Sequence, residues 1–241
     1  MAFYDYASAF GRSFFLAFAT LLPILNPPAV APIFLTLTDG ASHATRVDLA
    51  RRVSINATLL MIGSLIAGNV VLGFFGISLA AVRVGGGLLV IYSGWRLVNS
   101  ADADTEDKAR MAEVFTPEIA RARAFYPLAF PICVGPGCIS TAITVGASLR
   151  GQNPSPLLNA IQYAGALPGL LAVGWVLFLC LRFGEPLLSK LGANGTAIFM
   201  RMSAFVLLCL GVQICWDGAH DLFLGLIQDA QHMALHASSA S

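Results

Sequence analysis

The sequence predicts an all-α membrane protein: six transmembrane helices arranged as an inverted 3+3 repeat, with the first and fourth helices broken. Three observations carry that expectation. Hydrophobic residues make up 57% of the chain and charged residues only 11%, whereas a soluble domain is about a quarter charged. Six stretches are apolar, almost free of charge and about 20 residues long, which is what a helix needs to cross a bilayer. Two of the six are interrupted midway, one by Asn26-Pro27-Pro28 and the other by Gly135-Pro136-Gly137.

The first span covers Ser13–Thr38, carries no formal charge, and has Pro32 shortly after its break. Before it, Phe3, Tyr4, Tyr6 and Phe10 alternate with small or polar groups and read as interfacial. No basic region precedes the apolar stretch, so a cleaved signal is not expected. Spans two and three cover Val53–Phe75 and Ile77–Val98, and the third carries Arg83. Residues 100–123 hold six acids and four bases and read as a solvated linker with some helix, or as a docking loop. Spans four to six cover Ala124–Leu149, Pro156–Leu181 and Ala197–Trp216, and the sixth carries Arg201. The tail after Gly218 is expected to begin as an amphipathic helix through Phe223, Leu226 and Ile227 and then to fray. Little chain remains outside the spans, so residues 1–241 form one membrane domain. Repeat one runs over about 13–98, the cytoplasmic linker over 99–123, repeat two over 124–217 and the tail over 218–241.

Basic residues orient the chain. On the side of the two termini stand Arg12, Arg83 and Arg150. Loop 1–2 carries Arg46, Arg51 and Arg52, loop 3–4 carries Lys108, Arg110, Arg121 and Arg123, and loop 5–6 carries Arg182 and Lys190. Three against nine places these loops in the cytoplasm and both termini outside.

The repeat appears when the chain is cut within 100–123. Asn26-Pro27 then falls on Gly135-Pro136, Asn56 falls near Asn159, and the segment from Arg83 to Gly87 meets that from Arg201 to Phe205. Three spans per half force the halves to be inverted, as in many secondary transporters.

The breaks are the candidate site. Proline and glycine free backbone polar groups at membrane depth, and such groups persist only where protein or a polar cavity satisfies them. Asn26 offers an amide. A half-helix begins beyond Pro28, and Gly137 opens another with Ser140 and Thr141 on its first turn. Half-helix N-termini attract a carboxylate, and the opposing carbonyl ends attract an ammonium group or small cation. The substrate-binding set is therefore Asn26, Pro27, Pro28, Gly135, Pro136, Gly137, Ser140 and Thr141, and a small zwitterion suits it. Packing kinks alone are the bland alternative. Arg83 and Arg201 either snorkel to the interface or act in gating or in pairing with a helix end. Asn56, Asn69, Asn159 and Gln162 either line a polar path or bond between helices. Gly85-Gly86-Gly87 and the pair Gly165 and Gly169 read as surfaces for close helix packing.

Other chemistry is not indicated. No carboxylate lies at mid-membrane, since Glu185 and Asp217 are near span ends, so a proton relay on a buried acid finds no support. Cys133, Cys138, Cys180, Cys209 and Cys215 lie in or beside apolar spans without metal spacing, and read as packing residues. His232 and His236 lie in the tail, and no metal site or cofactor is expected. A net charge of +1 gives no footprint for nucleic acid.

With these residues in view, the chain resembles the MarC family of six-span bacterial and archaeal inner-membrane proteins over about residues 13–218. The resemblance rests on Leu25-Asn26-Pro27 with Pro32-Ile33-Phe34-Leu35, on Phe75-Gly76-Ile77-Ser78 with Arg83 and its glycines, and on Pro127 to Pro131. It rests further on Gly135 to Thr141 and on Gln213 to Gly218. The family usually shows Asn-Pro-Ile/Val-Gly at the first break. Here Pro28-Ala29 follows Asn26-Pro27 and stiffens that loop. The resemblance implies a multi-pass inner-membrane protein, akin to amino-acid exporters of the LysE type; an archaeal relative is associated with transport of small neutral amino acids such as glycine and alanine.

The leading expectation is a secondary transporter or exporter of a small zwitterionic solute, not an enzyme. Its partners would be the lipid bilayer, a small-molecule substrate and a coupling ion, proton or sodium, with homo-oligomers left open. A non-transporting scaffold or a channel is the alternative. A membrane thiol–disulfide electron carrier would need one reactive cysteine per half, but Cys138 falls opposite Ala29 and Cys133 opposite Ile24, so the pair is missing.

Overall fold

The computed structural model describes residues 2–38, 40–99, 124–151 and 156–239, and every element among them is helical. The charged segment 100–123 lies outside them. The elements are α1 (Ala2–Leu25), α2 (Pro27–Leu37), α3 (His43–Phe75), α4 (Leu79–Asn99), α5 (Ala124–Cys133), α6 (Pro136–Gly151) and α7 (Pro156–Ser239). Gly192, at φ 67 and ψ 177, divides α7 into two arms.

Four runs are long and apolar enough to cross a membrane: Tyr4–Leu35, His43–Gly68, Pro156–Gly184 and Ala197–Gln228. A fifth is the pair α5 and α6, bent by 72° at its break. The 21-residue helix α4 stands where the third span is expected, but it is less apolar than these. Two arginines and three successive glycines dilute it.

Several boundaries differ from those read off the sequence, because a helix does not stop where charge begins. α1 starts at Ala2 and takes in the interfacial aromatics. α3 starts at His43, where the Ser42 hydroxyl accepts the Thr45 amide at 3.2 Å, so Arg46, Asp48, Arg51 and Arg52 are helical. It ends at Gly76, whose φ of 66 allows the Ile77 amide to reach the Leu72 carbonyl at 2.9 Å. The tail expected to fray after Gly218 is helical through Ser239.

The core is made of helical stripes. On α3, Leu49, Val53, Ala57, Met61 and Leu65 recur every four residues and are fully enclosed. On the first arm of α7, Ala166, Leu170, Val173, Leu177 and Leu181 recur every three or four residues and are likewise enclosed. Equally apolar residues on the outer faces, such as Ile55, Leu59, Ile66 and Trp175, are half exposed or more. Hydrophobicity therefore does not sort inside from outside here, as lipid is as apolar as leucine; glycines mark where helices come closest. The clearest case is the crossing of α4 with the second arm of α7. A Cβ on Gly87 would lie 2.6 Å from the Cys215 nitrogen and 2.8 Å from the Gly211 carbonyl oxygen, so only glycine lets the two backbones meet.

Candidate functional site

Asn26 joins α1 to α2. Its φ of 48 is left-handed, a conformation asparagine tolerates better than most residues. Its amide closes α1 by donating to the Leu22 carbonyl at 3.0 Å. Its own carbonyl accepts the Ala29 and Val30 amides at 3.0 and 3.2 Å, which caps α2. The side-chain Nδ2 donates to the Ser203 carbonyl on α7 at 3.4 Å.

This arrangement corrects one expectation. The start of α2 does not offer free amides to the break. Pro27 and Pro28 have none, and the next two are bonded to Asn26. The last carbonyls of α1, from Pro23 to Leu25, are followed by those same prolines, and a helix end leaves its final carbonyls without intrahelical donors. The first break is thus rich in acceptors.

The second break has the opposite character. Tyr126 (φ −116, ψ 128) and Phe130 (φ −127, ψ 127) are extended because each precedes a proline. α5 is therefore kinked, and α6 departs from it sharply. In α6 the Ile139 amide reaches back to the Gly135 carbonyl at 3.2 Å. Helix geometry leaves the Gly137 and Cys138 amides in the first turn, where no intrahelical acceptor exists and the helix dipole is positive. Gly137 also packs beneath the Val90 side chain of α4.

The two breaks share one cavity of about 170 Å³. Ile24, Leu25 and Asn26 line it from the first break, and Cys133, Gly135, Gly137 and Cys138 from the second. Val90 and Ser93 of α4 and Leu207 of α7 are also in its wall. Asn26 also lines a second cavity of about 200 Å³ with Pro23, Met202, Ser203 and Val206, so it stands between the two. The cavity thus lies between a break whose helix end leaves acceptors and one whose helix start leaves donors, with Asn26 in its wall.

Of the residues read from sequence, Asn26, Gly135 and Gly137 meet at the cavity, and Pro27, Pro28, Pro136, Ser140 and Thr141 are not in its lining. The Ser140 hydroxyl donates to the Gly137 carbonyl at 3.0 Å and packs on Gly86. Thr141 is buried, and its hydroxyl has no hydrogen-bond partner among the described residues. Arg83 pairs with Asp221 on α7. Arg201 is exposed, with no ion pair among the described residues. Sequence reasoning missed the lining roles of Cys133 and Cys138, although their spacing around the break was visible. It also missed Ser93, Val90 and Leu207, which only tertiary packing brings in.

Residues 11–223 match the family model described as MarC family integral membrane protein. An inner membrane protein MarC of Salmonella typhimurium is 30% identical over 213 residues, covering 86% of this chain and 94% of its own. A membrane protein of Archaeoglobus fulgidus is 29% identical over 205 residues, covering 85% and 91%. No solved structure matches the chain.

Proposed function

We propose that this chain, which belongs to the MarC family of integral membrane proteins, is a secondary transporter of small zwitterionic solutes across the inner membrane. The observation that carries the reading is the single cavity walled by both helix breaks. An ammonium group would face the carbonyl ends of α1, and a carboxylate would face the first-turn amides of α6. At about 170 Å³ the cavity is small against drug-sized pockets of roughly 300–1,000 Å³, which favours solutes such as glycine or alanine over larger compounds. Asn26, bonded to Ser203 between two cavities, is placed to act as a partition in alternating access.

Six spans in an inverted repeat belong to the same proposal, with α4 as the third span. Crossed packing supports it. The first break leans on the second arm of α7 through Asn26 and Ser203. The second leans on α4, with a Cβ on Gly137 lying 3.6 Å from the Gly86 carbonyl oxygen. The repeat makes α4 and that arm equivalent, so each break packs on the third helix of the other half. Arg51 and Arg182 line one pocket, which supports placing loops 1–2 and 5–6 on one side, cytoplasmic by their charge, with both termini outside.

The test is counterflow of glycine and alanine in liposomes holding purified protein, with Asn26→Ala measured beside it. Counterflow that disappears in the variant is the expected result. A folded native protein that shows no counterflow overturns this substrate class. Normal counterflow in the variant moves the site away from the break.

A further inference from the structure

A groove outside that site runs along the outer face of the protein, between α3 and the first arm of α7. It holds about 330 Å³, and Ile55, Leu59, Ile62, Leu171 and Trp175 make its walls almost wholly apolar. At its end the groove meets a second hollow of about 630 Å³, and Arg51 and Phe178 belong to both. His43, Asp48 and Arg182 complete this polar end.

The charges there are unequal. Asp48 is already bound to Arg52 at 2.8 Å. Arg51 has no ion pair among the described residues, and Arg182 is held over the Phe178 and Phe183 rings at 5.9 and 5.2 Å from their centroids. Those rings orient a guanidinium without neutralising it. Deeper in the groove Ser54 is 5% exposed, and its hydroxyl has no hydrogen-bond partner among the described residues. Its neighbour Thr58 donates to the Ser54 carbonyl at 2.7 Å and so does not satisfy it.

An apolar trough, a buried hydroxyl without a partner just inside it, and two arginines at its mouth have the order of parts of a phospholipid. We propose that this groove seats one anionic phospholipid. Its phosphate lies between Arg51 and Arg182, where guanidinium groups match phosphate oxygens. An ester oxygen accepts from Ser54, and an acyl chain lies against Ile55, Leu59 and Trp175. A neutral lipid fills the same trough and gains less from the two arginines. The site is independent of the cavity at the helix breaks.

Native mass spectrometry of the delipidated, detergent-purified protein tests this, with phosphatidylglycerol and phosphatidylcholine of identical chains as probes. The expected result is one retained phosphatidylglycerol, held about tenfold or more in preference to phosphatidylcholine. Arg51→Gln with Arg182→Gln should erase the preference. Ile55→Trp, at a half-exposed position, should lower retention of both lipids by filling the trough. Arg52→Gln, whose charge is engaged by Asp48, should change little. Equal retention of the two lipids by the native protein overturns the proposal. So does a loss in Arg52→Gln as large as in the double variant, which would indicate diffuse charge. Displacement of the lipid by millimolar inorganic phosphate would reduce the site to an anion site and also overturn it.

Discussion

Replacing Asn26 separates two roles that the fold gives one residue. Asn26→Ala keeps a side chain of modest size but must hold a left-handed backbone, at about 1–2 kcal/mol for an ordinary L-residue. It also loses the bond to Ser203, which at 3.4 Å is long and falls near the lower end of the usual range, about 0.5 kcal/mol. The sum is about 1.5–2.5 kcal/mol. Asn26→Gly accepts the same backbone freely and loses only the amide, at about 0.5–1 kcal/mol with the added chain entropy. For a chain of this size 1 kcal/mol moves the melting temperature by about 2–4 °C. Thermal unfolding in detergent, followed by tryptophan fluorescence, should therefore rank native above Gly above Ala. Counterflow should fail in both variants, because both lack the amide. A glycine variant no more stable than the alanine variant would refute the left-handed cap. A glycine variant that transports normally would refute the amide's part in the site.

Other perturbations follow the same geometry. Pro28→Ala adds an amide donor beside the carbonyl ends of α1, and that competing hydrogen bond, about 1 kcal/mol, should raise the half-saturation concentration of a zwitterion roughly fivefold. An unchanged value would remove those carbonyls from the site. Gly87→Ala should cost about 1–3 kcal/mol and lower the yield of folded protein, since its methyl meets the backbone of α7. Gly85→Ala, where a Cβ meets nothing within 4 Å, should be neutral or stabilising by up to about 1 kcal/mol; melting temperatures of the two variants compare them directly. Cys133→Ser and Cys138→Ser should each retain counterflow, because the proposed chemistry uses no thiol. Loss of transport in both, with folding intact, would place the two thiols in the transport site.

Membrane helices and their breaks were legible because proline, glycine and the near absence of charge act locally. Asn26 and Gly135 could be matched by position alone, and the structure brings both to one cavity. The glycine surfaces were legible in part: Gly86, Gly87, Gly165 and Gly169 meet neighbouring helices closely, whereas Gly85 meets none. Helix ends were not, because apolar windows measure bilayer thickness while α3 and α7 continue past those windows. The polarity of the first break was misread as well. Counting a new helix start suggests donors, but two prolines and a carbonyl that accepts two amides remove them. Ser93 and Leu207 left no trace in the sequence, since nothing local marks a residue that another helix will cover. The pairing of Arg83 was equally hidden, because its partner Asp221 lies 138 positions away.

That separation has a consequence for how the protein is made. α4 leaves the ribosome long before the second arm of α7 exists. Until then Arg83 lacks its counter-charge, and Gly87 and Gly94 lack the backbone they will touch. As the proposed third span, a weakly apolar helix carrying an unpaired arginine is a poor substrate for stepwise insertion. On that reading its settling waits for the second arm of α7, so that the Arg83–Asp221 pair and the glycine crossing form together, late in synthesis.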